Sequence, residues 1–188
     1  MRQFVMIFSL ITLLTGCTSV VNKLTTEPFK PDPTGRTLGA DIDDTKMTTL
    51  IGVNLKKAGP ELKIAHINIS VFNGLVLLTG EVPSAELKIL AGDVAREYTR
   101  VRQVYNELQV RGKTSIISRT NDSIISGKII TKLAFNSSVN YSDLRVVTED
   151  SVVYLLGTVF EATGDLAAET ARNTSGVRKV VKCLEYVK

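Results

Sequence analysis

The chain has no tryptophan, one histidine, two cysteines and an aromatic content of only 6%. Each shortage closes a class of function. Sparse aromatics and a net charge of only +4 leave neither a base-stacking platform nor a strong basic footprint, so nucleic acid is not an expected partner. The lone histidine, His66, stands beside a predicted strand and reads as a surface or capping residue rather than a base or ligand. Two cysteines and one histidine do not supply a His/Cys metal site. Asp41, Asp43 and Asp44 precede a predicted helix, where acids favour the helix dipole. Gly74, Gly80 and Gly157 fit turns or tight strand packing, and no phosphate-binding GxxxxGK[ST] loop is present. The sequence contains no catalytic constellation, so the expectation is a protein that is not an enzyme and has no metal or dissociable cofactor. It also lacks any run of roughly 20 apolar residues that would span a bilayer.

The longest apolar run, Phe4 to Leu14, is too short to span and follows Arg2, which makes residues 1–16 a secretory signal peptide. The run ends on Leu14-Thr15-Gly16-Cys17, which resembles a bacterial lipobox. In that chemistry the Cys17 sulfur takes a diacylglycerol through a thioether and the freed amine takes an acyl chain. Two or three chains hold a protein to a membrane almost permanently, whereas one holds it weakly. Thr18, in place of Asp, implies sorting to the periplasmic face of the outer membrane. With Cys17 acylated, Cys183 has no intramolecular partner, and its place in an alternating run reads as a small apolar residue. Residues 17–40 form the lipidated cysteine and a tether, because Pro28, Pro31, Pro33, Gly35 and Gly39 interrupt every apolar period.

Leu77-Leu78-Thr79-Gly80 repeats the LLTG of the signal peptide but has different surroundings. Ile67, Ile69 and Val71 alternate with polar residues, Asn73-Gly74 is a hairpin signal, and Leu75 to Val82 is the returning strand. The pattern recurs in "LRVVTEDSVVYLLGTV", with Gly157 matching Gly80 and Val159 matching Val82. Helices follow both hairpins, Ala91 to Tyr98 matching Ala167 to Thr174, with Ser84 and Thr163 as expected N-caps. "RVRQVYNEL" and "GVRKVVKCL" close the two copies, and an amphipathic helix precedes each hairpin, at about 44–57 and 122–135. Residues 41–111 and 121–188 are therefore two units, joined by a basic linker at 112–120, each reading helix–strand–strand–helix–strand.

The core from Val71 to Val82, its looser copy from Thr148 to Val159, and the ends at Arg100–Leu108 and Gly176–Leu184 resemble the BON domain of bacterial envelope proteins. The resemblance implies an α/β (α+β) fold of two tandem BON units. Each would have a small three-stranded mixed sheet packed on two helices. In the second copy Asp150-Ser151 replaces the Asn-Gly turn. Outer-membrane lipoproteins with two such domains bind anionic phospholipid through the first helix of the second unit. The corresponding helix here opens with Asn121-Asp122-Ser123, and Ile124 stands where that type has an exposed aromatic.

A helical wheel of this segment is consistent with that implication. Ile125, Ile129 and Leu133 make an apolar stripe matched by Met47, Ile51 and Leu55 in the first copy. The opposite side carries Ile124, Lys128, Thr131 and Phe135, with Lys132 adjacent. Ile124 and Phe135 replace Lys46 and Lys57 of the first copy. Two readings follow: either this face enters a headgroup layer, with cations meeting phosphate, or Ile124 and Phe135 pack on the first unit, with Leu50 and Val53 as apolar partners. The functional expectation is an anchored lipoprotein that binds anionic phospholipid and supports envelope integrity. The alternative is a periplasmic adaptor using the same face on a protein or on peptidoglycan.

Overall fold

The computed structural model describes residues 38–112 and 116–187, so the signal peptide, Cys17 and the tether up to residue 37 lie outside the described residues. In the first unit, helix α1 (Leu38–Ala58) and a short helix α2 (Pro60–Ile64) precede the hairpin β1 (His66–Phe72) and β2 (Leu75–Val82). Helix α3 (Ala85–Arg96) and strands β3 (Gln103–Asn106) and β4 (Gln109–Val110) complete it. The second unit has α4 (Ile116–Ala134), a 3-10 turn at Tyr141–Asp143, β5 (Leu144–Glu149), β6 (Val152–Val159), α5 (Glu161–Arg172) and β7 (Lys179–Tyr186). In each, the hairpin is antiparallel and the last strand returns parallel to the hairpin's second strand, which makes the expected mixed sheet. The last strand of the first unit is broken at Glu107-Leu108. Leu108 turns into the core, and pairing with β2 resumes at Gln109.

The two hairpins are built alike down to their hydrogen bonds. Asn73 and Gly74, and likewise Asp150 and Ser151, have positive φ at both central turn positions, as a primed hairpin turn requires. Asp and Ser adopt that backbone at a cost. Asp122 offsets it, its two carboxylate oxygens each accepting a backbone N–H, from Asp150 and Ser151, at 2.7 Å. Asp44 holds Asn73 and Gly74 in the same way. Replacing Asn-Gly therefore does not abolish the second turn. A Cβ on Gly80 or Gly157 would lie 2.0 or 2.3 Å from the carbonyl oxygen of His66 or Asp143, so both positions demand glycine.

Three boundaries differ from the sequence reading. Helix α1 begins at Leu38, inside the expected tether, and α4 begins at Ile116, inside the expected linker. No proline or glycine stands between residues 116 and 126 to stop the helix, and Asp122 braces a distant turn instead of capping α4. Thr163 is not an N-cap. The loop after β6 is one residue shorter than its counterpart, so Phe160 takes the place of Ser84 and α5 starts at Glu161 without a side-chain cap. Ser84 does cap α3, its hydroxyl accepting from the Leu87 N–H.

Each sheet is apolar on both faces. Val76, Leu78 and Val82 of β2 join Met47, Ile51 and Leu55 in the first core, and Val153, Leu155 and Val159 of β6 join Ile125, Ile129 and Leu133 in the second. The intervening residues point the other way, as strand alternation demands. There Phe72 and Leu77 of one unit meet Tyr154, Leu156 and Cys183 of the other in a third cluster. The units thus join sheet to sheet, with helices on the outer faces. Burial on both faces explains why β2 and β6 read as nearly unbroken apolar runs.

Candidate lipid-binding face

Helix α4 is fixed to its sheet from one side. Ile125, Ile129 and Leu133 are fully buried, Asp122 grips the β5–β6 turn, and the Ser126 hydroxyl hydrogen-bonds that of Thr148 at 2.7 Å. The helix therefore cannot roll, and its outer stripe is set by the core stripe. Ile124 is 52% exposed and Phe135 is 87% exposed. Lys128 and Thr131 are exposed between them. Phe135 lies one residue past the helix, but its N–H still donates to the Thr131 carbonyl, which keeps the ring in line with the stripe.

The packing alternative for this face draws no support from burial. Ile124 and Phe135 are exposed on the outer stripe of α4, and Leu50 and Val53 are exposed on α1. The reason is the double-sided sheets: their free faces supply the contact between units, which leaves both first helices outside. The two faces are chemically unlike, since Lys46 and Lys57 stand exposed where the second copy has Ile124 and Phe135.

The five sequence-predicted residues are not equivalent. Lys128 makes no ion pair or hydrogen bond among the described residues, so its ammonium faces solvent. Lys132 turns toward α5, donating to the Thr174 hydroxyl at 3.0 Å and the Asn173 carbonyl at 3.3 Å. Its charge meets the negative end of that helix dipole, which leaves less of it for an outside anion. The Thr131 hydroxyl donates to the Gly127 carbonyl at 2.8 Å and so presents only acceptor capacity outward. What remains is an apolar pair, Ile124 and Phe135, flanking one uncommitted cation.

Elsewhere the chemistry is structural. Cys183 is buried in the cluster between the sheets, and burial pushes its thiol pKa up to about 12. Burial also raises the Tyr154 phenol far above its ordinary value. Asp43 pairs with Arg100, and Arg102 pairs with Glu185 across the units at 2.6 Å. The sequence reading missed a polar cluster at the same seam, where His66 meets Glu81 and Glu149. No signal of spacing could have found it, because the three come from three strands.

No helix among the described residues is long and apolar enough to cross a membrane. A family model described as BON domain matches residues 43–112 and 121–188. The chain is 32% identical over 172 residues to outer membrane lipoprotein DolP of Haemophilus influenzae, covering 92% of this chain and 86% of that one. It is 35% identical over 162 residues to a 21 kDa hemolysin of Actinobacillus pleuropneumoniae, covering 86% and 81%. The osmotically-inducible protein Y of Escherichia coli is 29% identical over 154 residues, covering 80% and 76%.

Proposed function

We propose, for a chain that belongs to the BON-domain family and is a lipid-anchored outer-membrane lipoprotein, that the outer stripe of α4 binds anionic phospholipid. Cys17 carries the acyl chains, and the protein acts in envelope integrity by binding rather than by catalysis. The supporting observation is the 87% exposure of Phe135, on a stripe with exposed Ile124 and uncommitted Lys128. A large exposed aromatic beside an aliphatic residue and a cation suits a headgroup layer, where rings and methyls enter the acyl boundary and ammonium meets phosphate.

The magnitudes suit a second, reversible contact. Ile124 and Phe135 contribute roughly 1–2 kcal/mol each if half buried, and a lysine near an anionic surface about 1 kcal/mol. That sum corresponds to a dissociation constant on the order of mM. Weak affinity is sufficient beside an anchor, since tethering raises the effective concentration to about mM. The contact therefore sets orientation and bias toward anionic patches, while Cys17 sets residence.

Co-sedimentation of an unlipidated form lacking residues 1–17 tests this. Binding is expected to vesicles containing anionic lipid, to fall with salt, and to vanish in the Ile124→Glu, Phe135→Glu double variant while circular dichroism stays unchanged. A folded double variant that still binds would remove the face from the account and favour the adaptor reading.

A further inference from the structure

His66 opens β1, and Glu81 lies directly opposite it in the hairpin register. Glu149 ends β5 of the other unit. The exposure of Glu81 is 1% and that of Glu149 is 9%. His66 Nδ1 is 3.0 Å from Glu81 Oε2. One donor atom from each of the three residues lies within 4.8 Å of the other two. Arg111 Nη2 approaches the other oxygen, Glu81 Oε1, at 3.6 Å. Glu149 Oε2 accepts from Asn68 Nδ2 at 2.7 Å and from the Thr79 hydroxyl at 3.4 Å. Among the described residues it makes no ion pair.

Two carboxylates withdrawn from water at one point repel each other, and around Glu149 two neutral donors, Asn68 and Thr79, do not replace the lost hydration. Of the two carboxylates Arg111 reaches Glu81, while its other terminal nitrogen pairs with Asp150 at 3.0 Å. A cation lying between Glu81 and Glu149 would answer both charges, and His66 adds a nitrogen at the same point. A set of one imidazole nitrogen and two carboxylate oxygens suits a borderline divalent cation such as Zn²⁺. It suits Ca²⁺ and Mg²⁺ poorly, since both prefer shells made of oxygen. Ligands about 2.0–2.2 Å from a tetrahedral Zn²⁺ stand about 3.3–3.5 Å apart. The His66–Glu81 edge, 3.0 Å, is close to that, and no edge exceeds 4.8 Å, a gap on the scale of side-chain adjustment. A cleft of about 320 Å³, lined by His66, Asn68, Asp122, Ser123, Ser126 and Glu149 among others, gives a route from solvent and room for a water at a fourth position.

We infer that His66, Glu81 and Glu149 form a divalent-cation site, of Zn²⁺ class by its donors, that ties the first unit to the second. The inference is independent of the lipid reading, but the two meet in space. Asp122, Ser123 and Ser126 of α4 line the same cleft, so an ion there fixes the lipid-facing helix relative to the first unit.

The test takes the full mature chain in detergent, strips it with a chelator and titrates it with Zn²⁺, with Mg²⁺ as control, by calorimetry and by thermal unfolding. One Zn²⁺ per chain and a rise in Tm are expected, with neither for Mg²⁺. His66→Ala should lower Zn²⁺ affinity at least about 100-fold, the scale of losing a positioned ligand. Glu149→Gln should do the same while keeping the size and hydrogen-bonding capacity of the side chain, and it serves if His66→Ala does not fold. No Zn²⁺ binding by the wild type, or undiminished binding by folded Glu149→Gln, would overturn the inference.

Discussion

At the scale of single residues, Asp122 shows how a polar side chain can serve a fold without serving a site. Its position in Asn121-Asp122-Ser123 reads as the start of a helix, yet its carboxylate is spent on the Asp150 and Ser151 amides. Hydrogen bonds to a charged group contribute about 1.5–3 kcal/mol each where their loss leaves buried partners. Asp122→Ala is therefore expected to destabilise the protein by about 2–4 kcal/mol in urea unfolding. Asp150→Gly in the same background should recover part of the loss, because glycine adopts positive φ freely. A loss below about 0.5 kcal/mol, the level of an ordinary surface substitution, would show that the bracing of the turn is incidental. Lys132 teaches the same lesson. Read from the sequence as a lipid contact, it also donates to Thr174 and Asn173 at the end of α5.

At the scale of elements, α4 divides cleanly between core and surface. Ile124 and Ile125 are adjacent in sequence but 52% and 1% exposed. Ile125→Ala should cost about 2–5 kcal/mol through lost burial and the cavity left behind. Ile124→Ala should change stability by less than about 0.5 kcal/mol and yet weaken vesicle binding. Thermal unfolding beside co-sedimentation separates the two, and equal stability losses would contradict the orientation of the helix. This much was legible beforehand, because a 3.6-residue period marks one face as core. The hairpins were legible too, since alternation and Asn73-Gly74 are local signals. The boundaries of α1 and α4 were not, because polar residues next to a tether or linker look the same whether helical or not. The second covered face of β2 and β6 was only half legible. An unbroken apolar run says that both faces are buried but does not say what covers them. The His66–Glu81–Glu149 cluster was invisible for the same reason, since it exists only once the sheets meet.

At the scale of the whole molecule, the sheet-to-sheet seam decides what the outside can do. It consumes Phe72, Leu77, Tyr154, Leu156 and Cys183 and leaves both first helices facing out. Cys183 reports on that seam. Its thiol pKa, pushed up to about 12, and its full burial predict almost no maleimide labelling at pH 8, where an ordinary thiol of pKa near 8.5 reacts readily. Phe72→Ala should speed labelling several-fold by loosening the seam, and mass spectrometry of the quenched protein measures it. Rapid labelling of the folded wild type would mean that the units separate easily. The central claim, that the outer stripe of α4 meets anionic lipid beside a permanent anchor, is most directly tested by fluorescence. The chain has no tryptophan, so Phe135→Trp introduces a single indole at the tip of the stripe. With the lipidated chain reconstituted in vesicles, the anchor is present whatever the headgroup. A blue-shifted emission, quenched by brominated acyl chains, is predicted in vesicles containing anionic lipid and lost on Lys128→Glu or at high salt. The same solvent-exposed emission in anionic and zwitterionic vesicles would contradict it.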